Sequence, residues 1–210
     1  YGDVVRVGID PKDTNDSHVV QADAHDLPFG DDVQFDLGVF HPPCRKWSSM
    51  TRISGDPDDH PDLIPLAREL AEKHCAQHII ENVPAAPLRD PVVLDGRMFG
   101  LPIQKERAFE TSFNVEQPAR YASLNEDTVS PYYYADRSRE WWAATMGYPD
   151  RYPKQHMAKN AIPAPYVRYL LRAWMCQCRG GVMQNEYTKH DQLDVEKRKA
   201  ENHALVATDD

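Results

Sequence analysis

The 210-residue sequence predicts an α/β fold on a mostly parallel sheet. Short β-branched runs end abruptly at acids or prolines, as strands do when a loop begins. Between two of these runs lies a segment of helical period, which makes a strand, helix, strand unit with its loops at the carboxyl edge of the sheet. An apolar share of 41%, in a chain of this length, suffices for one core.

Val4 to Ile9 reads as the first strand and closes at Asp10; His18 to Ala22 reads as the second and closes at Asp23. The third, Phe35 to Phe40, is stopped by Pro42 and Pro43, which cannot continue a ladder. Leu63, Leu66, Ala67, Leu70 and Ala71 then recur at helical spacing and predict an amphipathic helix over about 62–75. A fourth strand is expected over His78 to Val83. The pattern weakens after Glu110. It returns as a helix over about Pro165 to Cys176, with Val167, Leu170, Leu171 and Trp174 expected on one side. The expected division is a core over 1–113, a short insert over 114–140, the rest of the core over 141–179 and a charged tail over 180–210.

Charge and composition narrow the classes. With 24 basic and 33 acidic side chains the formal charge is −9, so a protein coated in positive charge is excluded, although a local basic cleft is not. Such acidity also suits a salt-rich habitat. No apolar run approaches the roughly 20 residues that span a bilayer, and no secretory signal opens the sequence. Four cysteines do not make a disulfide scaffold, and reduced thiols in a cytoplasm are the simpler reading.

The most informative segment is His41-Pro42-Pro43-Cys44-Arg45-Lys46-Trp47-Ser48, which puts a thiol just past the third strand. Open parallel sheets bind ligands at that edge, and a Pro-Pro pair aims the thiol with little entropy to lose. Glu81-Asn82-Val83-Pro84 puts a carboxylate at the same edge one unit later. Two reactive residue types at neighbouring strand ends have the pattern of a site.

These residues resemble the cytosine-5 DNA methyltransferases: the Pro-Pro-Cys loop is similar to that family's nucleophile motif and Glu81-Asn82-Val83 to its Glu-Asn-Val motif. Lys105-Glu106-Arg107-Ala108-Phe109 is similar to its Arg-x-Arg-x-Phe strand. Asn160-Ala161-Ile162-Pro163 is similar to its late Gly-Asn-Ala-Val-Pro motif, with Lys159 where glycine is usual. The wording of His60 to Ile64, of Met98 to Leu101 and of Ala161-Ile162-Pro163 resembles that of the family's compact phage and prophage branch. Five or six motifs in fixed order, over roughly residues 4 to 175, carry the resemblance.

The resemblance implies a Rossmann-like S-adenosylmethionine-dependent methyltransferase fold and methyl transfer to carbon 5 of cytosine in double-stranded DNA. The catalytic residues it implies are Cys44, adding to carbon 6, Glu81, relieving charge at ring nitrogen 3 with burial holding its carboxyl neutral, and Arg107, at the exocyclic oxygen. Asp10, Asp23, Pro42 and Asn160 would border the cofactor; Asn82, Ser48, Arg45 and Lys105 would border the substrate. No metal is implied, the target base would be flipped out of the duplex, and the protein would act as a cytoplasmic monomer. The family's glycine-rich first motif is not found, so an N-terminally truncated chain with weak cofactor binding is expected.

Other readings stay open at this stage. A truncated, inactive copy would at most bind DNA. His41-Pro42-Pro43 also resembles the motif of enzymes that methylate exocyclic amines, but Cys44 stands where those need an aromatic residue. RNA is an alternative substrate. Tyr132-Tyr133-Tyr134 and Trp141-Trp142 either stack on bases or close a small core. Cys176 and Cys178, with His156 or His190, are a weak zinc pattern against plain thiols at a helix end.

Overall fold

A computed structural model of the chain describes residues 6–8, 19–119, 128–149 and 152–178. It is an α/β structure whose contacts divide into two compact units, residues 1–80 and 81–210. Asp10, half of the expected first strand and the charged tail over 180–210 lie outside the described residues.

In the first unit β1 (Arg6–Gly8) and β2 (Val19–Gln21) form a parallel pair, with Val7 opposite Val20. β3 (Phe35–Phe40) lies parallel to β4 (Cys75–Asn82), with Phe35 opposite Cys75 and Phe40 opposite Ile80. Between them run α1 (Ser49–Ser54), a 3₁₀ turn at Pro57–Asp59 and α2 (Ile64–His74). Gly38 is required by close approach, since a Cβ there would collide with Cys75 Sγ and the Phe40 ring.

α2 begins where Asp62 accepts from the Ile64 amide at 3.0 Å, with Pro65 in its first turn. It buries Ile64, Ala67, Ala71 and His74, a stripe at helical spacing, while Leu63, Leu66 and Leu70 are half-buried. The sequence places the strand after this helix three residues late. Cys75 is already extended and paired, because the helix passes into β4 without a loop. The preceding 29–35 segment ties down that junction: Gln34 Nε2 donates to the Lys73 carbonyl at 2.7 Å, and the His74 ring meets the Val33 carbonyl at 3.0 Å.

The sheet is not parallel throughout, although β1–β2 and β3–β4 both pair in parallel. The main sheet has four strands in the order β3-β4-β6-β5 and is mixed, because β5 (Val92–Leu94) and β6 (Arg107–Thr111) are antiparallel, with Val93 opposite Ala108. The twelve residues between these two strands hold only a 3₁₀ turn at Gly96–Phe99 and no α-helix, and the chain reverses direction across them. β3 is also less buried than a central strand: it ends the sheet order, and Val39 is 50% exposed.

The second unit builds its core from β5, β6 and three helices, α3 (Arg139–Met146), α4 (Lys154–Lys159) and α5 (Ala164–Cys178). Ser138 caps α3 by accepting from the Trp141 amide at 3.1 Å, and Gly147 ends it at a φ of 75°, where a side chain would be strained. Trp141 and Trp142 are buried, edge to face at 5.0 Å, and Trp142 Nε1 donates to the Tyr134 carbonyl at 3.0 Å. The tryptophan pair is thus core and not a stacking surface. Tyr132 and Tyr133, on a 3₁₀ turn at Pro131–Asp136, are exposed.

The side of α5 that the core covers is offset from the one its most apolar residues share. The helix buries Tyr166, Tyr169, Leu170 and Ala173, while Val167 is exposed and Leu171 and Trp174 are half-buried. Phe99 packs on both tyrosine rings, at 5.0 and 5.7 Å. Truncating Trp142 to alanine should destabilise the protein by about 3–5 kcal/mol in urea titrations, against less than about 0.5 for Tyr133→Ala. Equal losses in the two variants would contradict this division between core and surface.

Among the described residues no helix is long and apolar enough to cross a membrane. Nor do three His, Cys, Asp or Glu side chains gather there in an arrangement that could hold a metal ion. His190 of the zinc pattern lies outside the described residues.

Candidate functional site

In the first unit the Pro-Pro-Cys segment leaves β3 and closes into a turn. The Cys44 carbonyl accepts from the Trp47 amide at 3.0 Å and the Ser48 amide at 2.9 Å, so the thiol sits at the entry of a tight loop rather than on a free tether. Cys44 is a free, half-buried cysteine. Ser48 caps α1, its Oγ accepting from the Met50 amide at 3.3 Å, and Arg45 is exposed. Lys46 pairs with Asp58 at 3.2 Å, which fastens the loop to the 3₁₀ turn before α2.

Asp23 follows β2 in a turn of its own. Its carboxylate accepts from the His25 amide at 2.9 Å, and that backbone hydrogen bond, followed by the His25 ring, holds its carboxyl below the usual carboxylate range. Exposed and ionised, it is an acceptor of the kind a ribose hydroxyl or an adenine amine needs. Pro42 is half-buried and Asn160 is exposed at the end of α4.

The second unit opens with the carboxylate. Glu81 and Asn82, the last residues of β4, are buried, and Asn82 Oδ1 accepts from the Val83 amide at 2.9 Å. Arg107, the first residue of β6, brings Nε to 3.4 Å from Glu81 Oε1, and the two side chains are 11% and 9% exposed. Burying a carboxylate is least unfavourable with the opposite charge beside it. The expectation that burial acts alone on Glu81 therefore omits a guanidinium that the fold supplies.

Arg107 does a second thing. Its Nη2 donates to the Lys159 carbonyl at 3.0 Å, and Lys105, only 4% exposed, donates from Nζ to the Ala158 and Lys159 carbonyls at 2.5 and 3.1 Å. Helix ends leave carbonyls without partners, and here the cations of the Lys105 to Phe109 segment fill that need at α4, directly before Asn160. The structure thus brings together two segments about 50 residues apart that the sequence singled out separately.

Tyr166 is the residue of this cluster that the sequence reading missed. Its hydroxyl donates to the Lys105 carbonyl at 2.7 Å. The i, i+3, i+4, i+7 spacing of Tyr166, Tyr169, Leu170 and Ala173 was the available signal, masked by the more apolar Val167, Leu171 and Trp174.

Burial, then the nearby Asp95 carboxylate, pushes the Tyr166 phenol well above its usual range. The unfolded chain releases that proton near pH 10 while the folded chain keeps it, so this contribution to stability is complete below about pH 10 and is lost as pH rises through the folded value. Urea midpoints should fall above about pH 10, less steeply in Tyr166→Phe. Identical slopes in the two proteins would contradict this.

Compared with protein-family models and with curated protein sequences, the chain matches none.

Proposed function

We propose that the protein methylates carbon 5 of cytosine in DNA, with S-adenosylmethionine as donor and Cys44, Glu81 and Arg107 as its catalytic residues. The observation that carries this reading is the parallel register of β3 and β4: Phe40, the last residue of β3 before the Pro-Pro-Cys loop, lies opposite Ile80, one residue before Glu81 in the carboxyl-terminal end of β4. The buried contact of Glu81 with Arg107 adds support, because it sets side by side a carboxyl and a guanidinium, the two groups the reaction asks for at a ring on which charge develops.

On this reading the Cys44 thiolate adds to carbon 6, since carbon 5 of cytosine is a poor nucleophile until the ring becomes an enamine. Glu81 hydrogen-bonds ring nitrogen 3 and Arg107 the exocyclic oxygen, where negative charge accumulates. Carbon 5 would then take the methyl group as the donor's methyl–sulfonium bond breaks and leaves a thioether; loss of the carbon 5 proton to a base then breaks the carbon 6–sulfur bond and releases Cys44. When bound, S-adenosylmethionine supplies an electrophilic methyl group; Asp10, Asp23, Pro42 and Asn160 would hold it. Asn82, Ser48 and Arg45 border the substrate, and the cytosine reaches the pocket by flipping.

The test is transfer of a labelled methyl group to duplex DNA, followed by hydrolysis to nucleosides. Label in 5-methylcytosine is expected. Label on an exocyclic amine would favour the amino-methyltransferase chemistry, label only in an RNA substrate would change the polymer, and DNA binding without transfer would leave a binding module.

A further inference from the structure

Building on the proposed reaction, we infer that Lys105 is a positioning residue and not a substrate contact: it sets the place of Arg107 by fastening the end of α4 to the start of β6. Its ammonium is engaged by the Ala158 and Lys159 carbonyls, at the end of α4, in a side chain that is only 4% exposed. The Lys159 carbonyl also receives Arg107 Nη2, so one backbone oxygen is shared by both cations. Lys105 is in turn held by Tyr166, whose hydroxyl donates to its carbonyl and whose ring is fully buried.

Arg107 thus has two anchors, Glu81 on one side and Lys159 on the other, and the second anchor stays in place only while the end of α4 does. α4 has just six residues and cannot hold its own last turn by helical hydrogen bonds alone. The backbone amides of Asn160 and Ala161 cap the His156 carbonyl, at 2.9 and 3.1 Å, but the Ala158 and Lys159 carbonyls rely on side chains from residues 105 and 107. Without the Lys105 ammonium the last turn has lost two hydrogen bonds and the Arg107 guanidinium has a looser seat. A small displacement of a group that stabilises charge in a reacting ring lowers the rate more than the affinity for the substrate.

The experiment measures two quantities on the full chain: DNA affinity, and the rate of covalent adduct formation at saturating DNA carrying 5-fluorocytosine, with S-adenosylmethionine present. In Lys105→Met the adduct rate should fall roughly ten- to a hundredfold with DNA affinity within about twofold, and Lys105→Arg, which keeps a cationic donor, should recover most of the loss. Tyr166→Phe keeps the buried ring and loses one hydroxyl; it should show a milder fall of the same kind, and it decides the matter if Lys105→Met does not fold. An unchanged adduct rate in the folded variants, or a loss confined to DNA affinity, would overturn the positioning role. Absence of any adduct in the unsubstituted protein would instead count against the proposed reaction itself, a separate result.

Discussion

Replacing Cys44 with serine is expected to lower methyl transfer to DNA by at least about a thousandfold, because the nucleophile and the groups around it act as one unit. The serine hydroxyl is close in size to the thiol but is a far weaker nucleophile near neutral pH, since only a thiolate is readily formed there. The loop should survive the change, for its turn is closed by the Cys44 carbonyl and not by sulfur. Binding of S-adenosylmethionine and of DNA should therefore stay within about threefold of the unsubstituted protein, on the reasoning that the nucleophile acts in the transition state alone. The covalent adduct with 5-fluorocytosine DNA should vanish in the same variant, because fluorine blocks the elimination that frees the enzyme only after addition has occurred. Near-normal turnover in Cys44→Ser would remove the nucleophile from the scheme.

Arg107→Met should be costly in two ways. Removing the guanidinium leaves the buried Glu81 without its neighbouring positive charge and the Lys159 carbonyl without one donor. The expected destabilisation is about 2–4 kcal/mol, at the lower end of what breaking a buried ion pair costs because the 3.4 Å contact is longer than a good hydrogen bond. For a protein of this size that corresponds to a fall in melting temperature of roughly 5–15 °C. Methyl transfer should fall about a hundred- to a thousandfold, the scale of losing one preorganised donor to developing negative charge. A double-mutant cycle with Glu81→Gln separates the two effects. The stability changes should be non-additive by about 1 kcal/mol or more, since the double variant no longer buries one charge without the other. Additivity within about 0.3 kcal/mol would show that the two side chains do not stabilise each other.

Much of the local architecture was readable before any coordinates. The Phe35–Phe40 strand ends where Pro42 and Pro43 forbid further pairing, and α2 lies close to where its periodic leucines and alanines place it. Less readable were the points where two elements join or share a partner. Cys75 is helix-like by neighbourhood yet strand by pairing, because its extended backbone sits opposite Phe35. The antiparallel return of β5 and β6 left no signature that distinguished it from one more parallel strand.

What the amino-acid order determined by itself is the set of local events: where strands stop, where a helical face recurs, and which chemically active side chains follow which strands. These depend on φ, on periodicity and on capping, all properties of neighbouring residues. The tertiary structure alone decided what those side chains do. Lys105 and Arg107 read as a pair of cations in an open motif; only the fold shows that one is buried beneath the end of α4, 53 residues onward, and that the other lies between that helix end and Glu81. Likewise, periodicity states which residues of α5 share a side but not which side the core covers: Tyr166 and Tyr169 are buried and Val167 is exposed. The reason is physical: burial and pairing depend on partners distant in sequence, and a helix with two plausible apolar faces is turned by whatever packs against it.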